Sequence, residues 1–286
     1  MHDTRTQTLQ VPGARLHYEV GGSGPTLLLI PGGPADAGAL AALATGLRDR
    51  YTVVSYDQRG FSRSALTGPP RAQDVATFAD DARRLIAALG DEPAYVFGNS
   101  GGALTGLDLA ARHPGHVRAL VAHEPPAPEL LPDRAHWRAT FQGVHDTYVS
   151  EGAGAAMHQF VATIEGDNDT IAPMPDFSQL PPEAMEMMGR IQGNLDHFLN
   201  HVLLPVLRFE PDTAALRTGP VPVTVGIGTT SPAVGVPLRS ALALAERLGI
   251  EPVRFPGDHQ GPATDAVACA ELVHDAFARV KDVERR

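Results

Sequence analysis

The feature that most narrows the fold is a set of short apolar runs, most of them ended by a turn rich in glycine or proline. Leu27-Leu28-Leu29-Ile30 runs into Pro31-Gly32-Gly33-Pro34, and Thr52-Val53-Val54-Ser55-Tyr56 into Asp57-Gln58-Arg59-Gly60. Ala94-Tyr95-Val96-Phe97 precedes Gly98-Asn99-Ser100-Gly101-Gly102, and further runs span Val117 to Ala122, Val221 to Ile227 and Val253 to Phe255. Runs that are apolar throughout suit strands covered on both faces, as in a parallel sheet. Between them, Ala37 to Leu47, Val75 to Leu89, Leu104 to Ala111, Ser240 to Leu248 and Ala266 to Val280 repeat apolar residues at helical spacing. This alternation predicts an α/β fold with a doubly wound, mostly parallel sheet. An antiparallel edge hairpin is expected around Leu16 to Val20.

The rhythm breaks between about Pro125 and Thr218, where proline is frequent and helical patterns dominate. Within the 286 residues, this predicts a core built from 1–125 and 219–286 with a helical cap, 126–218, inserted between two strands. The cap holds the single tryptophan, Trp137, and the trio Met185, Met187 and Met188. Trp137, Met185, Met188 and Phe198 are its candidate pocket walls, although side chains of this kind serve ordinary packing equally well.

Gly98-Asn99-Ser100-Gly101-Gly102 fits Gly-x-Ser-x-Gly between a strand pattern and a helix pattern. A serine on so tight a turn needs small neighbours, and the helix start behind it offers free N–H donors to a developing oxyanion. The plain alternative is a glycine-rich turn whose serine caps the helix. With this motif the chain resembles the α/β-hydrolase superfamily, and the resemblance runs nearly end to end. Tyr56-Asp57-Gln58-Arg59-Gly60 through Ser64 looks like that family's Asp-x-Arg-Gly loop, and Pro31-Gly32-Gly33-Pro34 stands where it usually has His-Gly-x-Pro. The resemblance implies Ser100 as nucleophile and the Gly33 and Gly101 N–H groups as the oxyanion hole. It further implies His259, within Pro256-Gly257-Asp258-His259, as the base. Asp57 is expected to be structural.

The third member departs from the usual pattern. Most of the family carries an Asp after the strand that follows the cap, but Val225-Gly226-Ile227-Gly228-Thr229-Thr230-Ser231 contains no carboxylate. Parallel strands all end at one edge of their sheet, with neighbours about 4.8 Å apart. The run Val117 to Ala122 would therefore deliver His123-Glu124-Pro125-Pro126 beside Ser100, making Glu124 the expected acid. Asp258 is a poor orienter because adjacent side chains diverge. This combination of pieces resembles the zearalenone-type lactone hydrolases.

The expected activity is hydrolysis of a small apolar ester or lactone without a cofactor or metal. A prolyl-type aminopeptidase, with Glu183, Glu186 and Asp196 holding an amine, is one alternative. A carbon–carbon bond hydrolase and a non-catalytic ligand binder of the same fold are others. Carboxylate-nucleophile relatives are disfavoured by Ser100. With 33 acidic against 23 basic residues, a net charge of −10 argues against nucleic acid as a partner. Cys269 alone excludes a disulfide scaffold, and Lys281 lies far from the motifs. No run reaches the roughly 18 residues of a membrane span, and Met1 to Gln7 lacks the apolar stretch of a secretory signal. A cytoplasmic protein without a membrane partner is expected, with a homodimer as the alternative to a monomer.

Overall fold

The computed structural model describes residues 4–90, 92–165 and 182–284, without side chains at 165 and 281–284. The chain opens with β1 (Arg5–Val11) and β2 (Ala14–Gly22), the expected antiparallel edge hairpin. It then alternates through β3 (Thr26–Ile30), α1 (Ala41–Leu47), β4 (Thr52–Tyr56) and the two-residue β5 (Ala65–Leu66). Next come α2 (Val75–Leu89), β6 (Ala94–Asn99), α3 (Gly101–Arg112) and β7 (Val117–His123). A helical insertion follows: α4 (Arg134–Glu151), α5 (Ala153–Glu165), α6 (Pro182–His197), a π-helical turn at Phe198–Val202, α7 (Leu203–Leu207) and α8 (Thr213–Thr218). The sheet resumes with β8 (Val223–Gly228), α9 (Val236–Leu248), β9 (Val253–Phe255), α10 (Gly261–Thr264) and α11 (Ala266–Glu284). The interval expected as a cap, 126–218, contains α4 to α8, and its residues 166–181 lie outside the described residues.

Among the described residues one sheet runs in the order β1-β2-β4-β3-β6-β7-β8-β9, with β5 on β2; every pair from β4 to β9 is parallel. The central strands are buried on both faces, which is why their sequences are apolar without alternation. Leu28, Val96 and Leu120 point into the core shared with α2, α3 and α9, whereas Leu27, Phe97 and Val121 meet α1 and α11. Each such large side chain contributes about 1.5–3 kcal/mol by leaving water. Among the described residues no helix is long and apolar enough to cross a membrane.

Three local differences from the sequence reading have simple causes. The helix expected from Ala37 becomes a 3-10 turn, Ala37–Leu40, because the Asp36 carboxylate accepts from Gly38 N; α1 starts only at Ala41. Strand β8 begins at Val223 because Pro222 has no N–H, although its carbonyl still accepts from Leu120 N at 3.0 Å. Helix α9 starts four residues before Ser240, with Pro237 in its first turn, where a missing N–H costs nothing.

Candidate active site

Registers across the sheet bring the ends of four strands to one rim. Asn99 on β6 pairs with His123 on β7, His123 with Gly226 on β8, and Gly228 with Phe255 on β9. Ser100 and Glu124 each follow their strand by one residue, and both hold positive φ, 56° and 45°. Outside glycine such angles are costly and persist where surrounding contacts enforce them. Here Ser100 N donates to His123 O and Glu124 N donates to Gly226 O, each at 3.0 Å, so each sharp turn is stitched to the next strand.

The elbow also dictates glycine behind it. A side chain on Gly102 would begin 2.1 Å from Ile30 O, inside the neighbouring strand. Ser100 occupies the cap position of α3 but makes no side-chain capping bond, so its hydroxyl is not spent on the helix. This removes the capping alternative.

Glu124 is fully buried. Its Oε1 accepts from Gly228 N at 2.9 Å, and its Oε2 accepts from His259 Nδ1 at 2.8 Å, across 135 positions of sequence. Burial alone would raise its pKa, but the imidazole and the backbone donor overcome this and hold it at about 2. An ionised carboxylate only accepts, so Nδ1 carries the proton of this bond, and in the neutral imidazole Nε2 is the acceptor nitrogen. Asp258 turns away, its Oδ1 accepting from Gln260 N at 2.8 Å. Behind the relay, His123 donates Nδ1–H to Asn99 Oδ1 at 2.7 Å, and burial pushes its pKa down to about 3.

On the other side of Ser100 lies the loop 31–36. Gly33 has φ 55°, which suits glycine, and a side chain on Gly101 would begin 3.7 Å from Gly33 N, so the two expected oxyanion donors are neighbours. The loop is held by side chains that sequence reasoning did not single out for this purpose. Gln58 Nε2 donates to Pro31 O and Asn194 Nδ2 to Pro34 O, both at 2.7 Å; Arg190 Nε donates to Asp36 Oδ2 at 2.6 Å. Arg190 and Asn194 lie one turn apart on α6. That spacing is the only signal the sequence offered, and it does not reveal the partner. Asp57 is structural as expected: it accepts from Ala37 N and from the backbone and side chain of Arg63.

Two adjoining hollows flank Ser100, of about 30 and 200 Å³, and Gly32, Gly33, Ser100 and Phe160 line both. The larger also touches His259. Of the four expected pocket residues, Phe198 lines the smaller hollow. The other three do not reach either one. Trp137 packs on Phe141 and under Arg239, whose guanidinium carbon is 5.6 Å from the ring centre. Met185 is 50% exposed, and Met188 lies outside both linings. The inward stripe of α6 is Met187, Arg190, Ile191 and Asn194, a helical face that misses 185 and 188. The His197–His201 pair packs beside Phe61 and Gly60. Among the described residues, no three His, Cys, Asp or Glu side chains converge as a metal set.

Known proteins share this fold. Residues 25–164 match the family model described as alpha/beta hydrolase fold. Over 278 residues, 96% of each chain, the sequence is 36% identical to the uncharacterized hydrolase YraK of Bacillus subtilis. An alpha/beta hydrolase from Sphaerobacter thermophilus is similar in structure, at 26% identity and a TM-score of 0.65 over 95% of this chain and 100% of the other. The enol-lactonase of Burkholderia xenovorans has the same fold at 20% identity, with a TM-score of 0.71 over 95% of this chain and 100% of its own. With a relative matched along almost its whole length and a sheet that delivers Ser100, Glu124 and His259 to one rim, this chain belongs to the alpha/beta-hydrolase family and is a hydrolase of that fold.

Proposed function

We propose that this hydrolase is a serine enzyme that cleaves a small apolar ester or lactone through an acyl-enzyme. The observation that carries the reading is the 2.8 Å bond between His259 Nδ1 and a buried, ionised Glu124, beside a serine hydroxyl that caps nothing. Glu124 fixes the tautomer, and His259 Nε2 takes the proton as Ser100 Oγ attacks the carbonyl carbon. The Gly33 and Gly101 N–H groups receive the oxyanion, and each such donor contributes on the order of 100- to 1,000-fold in rate. As the intermediate collapses, the carbon–oxygen bond breaks and His259 gives its proton to the leaving alkoxide. Water then repeats the sequence: it attacks the acyl carbon, His259 accepts its proton, and that proton returns to Ser100 as the acid leaves. No group beyond the chain and water enters the scheme.

The apolar walls of both hollows favour a neutral substrate. The aminopeptidase reading loses support, since Glu183, Glu186 and Asp196 are exposed and no carboxylate appears among the described lining residues. The similarity of His123-Glu124-x-Pro126 and its companion segments to zearalenone-type lactone hydrolases supports keeping lactones within the substrate class.

Turnover of p-nitrophenyl acetate, together with labelling by a fluorophosphonate, tests the proposal. The label is expected on Ser100 by mass spectrometry, and Ser100→Ala should lose on the order of 10⁶-fold in kcat while keeping its circular dichroism spectrum. Ligand binding without turnover, equal in wild type and Ser100→Ala, would overturn it in favour of a binder.

A further inference from the structure

We infer that the two adjoining hollows are an acyl and an alcohol chamber, which makes the substrate an ester of a short acyl group with a ring-sized apolar alcohol. This rests on the serine-hydrolase reading and adds direction to it. In that chemistry the histidine must hand its proton to the leaving oxygen, so the alcohol portion lies on the histidine's side of the nucleophile. His259 lines only the larger hollow. That hollow therefore receives the alcohol, and after its departure it admits the hydrolytic water to the same imidazole. The acyl chain is left the smaller hollow, on the side of Ser100 that His259 does not reach.

Size and chemistry then specify each portion. The acyl chamber is lined by Phe78, Phe198, Val202, Val206 and Leu207, with Gln58 at its polar end already engaged by Pro31 O. Its volume of about 30 Å³ is room for about two water-sized groups, so it fits an acetyl or propionyl chain and excludes an octanoyl one. The alcohol chamber is walled by Met157, Val161, Ile164, Ile191 and Leu40, and its volume is about 200 Å³. An apolar cavity of roughly 150 Å³ accommodates benzene, so this chamber takes a phenyl-sized or somewhat larger ring. Phe160 borders both chambers.

The test is kcat/KM of the full chain over p-nitrophenyl acetate, propionate, butyrate and octanoate, then over acetates of ethanol, phenol and 2-naphthol. Wild type should prefer acetate or propionate over octanoate by at least tenfold and aryl over ethyl acetates. Leu207→Ala, with Leu207→Val as the milder variant should the first not fold, should raise octanoate relative to acetate without reordering the alcohols. Ile191→Phe should penalise 2-naphthyl acetate against phenyl acetate and leave the chain-length ranking short. Equal rates for octanoate and propionate, or chain length responding to Ile191 and not to Leu207, would overturn the assignment while the serine mechanism stands. No turnover across the series with Ser100 unlabelled removes the mechanism, and this inference falls with it.

Discussion

The two sides of Ser100 are built by different means. Behind it, the residues of the relay sit at strand ends joined by backbone hydrogen bonds: Ser100 N to His123 O, Glu124 N to Gly226 O, Thr229 N to Phe255 O and Thr230 N to Gly257 O. In front, the 31–36 loop is tied by side chains, two of them from α6 in the insertion. The rear is a property of the sheet itself, whereas the front is tied both to the core through Gln58 and to α6. In the proposed mechanism the nucleophile turn therefore belongs to the core, and the oxyanion site belongs jointly to core and insertion.

The largest effect that would break this division is at Glu124. Glu124→Gln keeps the shape but presents an amide to Nδ1, favouring the wrong tautomer, and should lower kcat on the order of 10³- to 10⁴-fold. A loss under tenfold in ester hydrolysis would mean the rear relay is not what orients His259. Next, Arg190→Ala should reduce kcat by roughly 10- to 100-fold with a smaller change in KM. It misplaces an oxyanion donor without removing it, and a donor is worth about 100- to 1,000-fold. Arg190→Lys should recover part of the loss; identical kinetics for wild type and Arg190→Ala would show that the loop supports itself.

Acid separates the two sides by stability. Burial holds His123 at the rear at about 3 and His197 at the front at about 4, below the ordinary 6.5. Below pH 6.5 the unfolded chain takes up protons that the folded chain refuses, so the stability present above that pH is lost as pH falls towards those values. Urea midpoints measured from pH 7.5 to 4.5 should fall, and His197→Gln should flatten the slope; an unchanged slope would assign the whole effect to other groups. The smallest effect belongs to Asp258→Asn, expected to change kcat less than threefold, because its carboxylate serves Gln260 N and not His259. A drop beyond tenfold would reopen the choice of acid.

What the sequence disclosed follows the same division. Strand ends can be read from apolar runs and glycine turns, and in a parallel sheet all of them face one rim. The meeting of Glu124 with His259 was therefore reachable by topology once the segment after Ile227 proved free of acids. Side-chain ties across 132 to 160 positions, such as Asn194 to Ser62 N and to Pro34 O, leave no periodic trace. Met185 and Met188 looked like pocket walls because composition marks them as apolar, and only the rotation of α6 reveals that its inner stripe runs through Met187 and Ile191. The alteration at Ala37 has the same origin, since Asp36 holds Gly38 N and the distant Arg190 together.

Placing the acid directly after β7 makes the two seams of the insertion unequal. The entry seam, Glu124-Pro125, carries the carboxylate bonded to His259, the proposed acid, whereas the exit seam before Val223 carries no residue of the proposed relay. A chimera that exchanges the inserted helices for those of another hydrolase has wide latitude in where it rejoins β8. It has almost none in where it leaves β7: the graft must begin beyond Glu124 and supply its own clasp for Asp36 and Pro34.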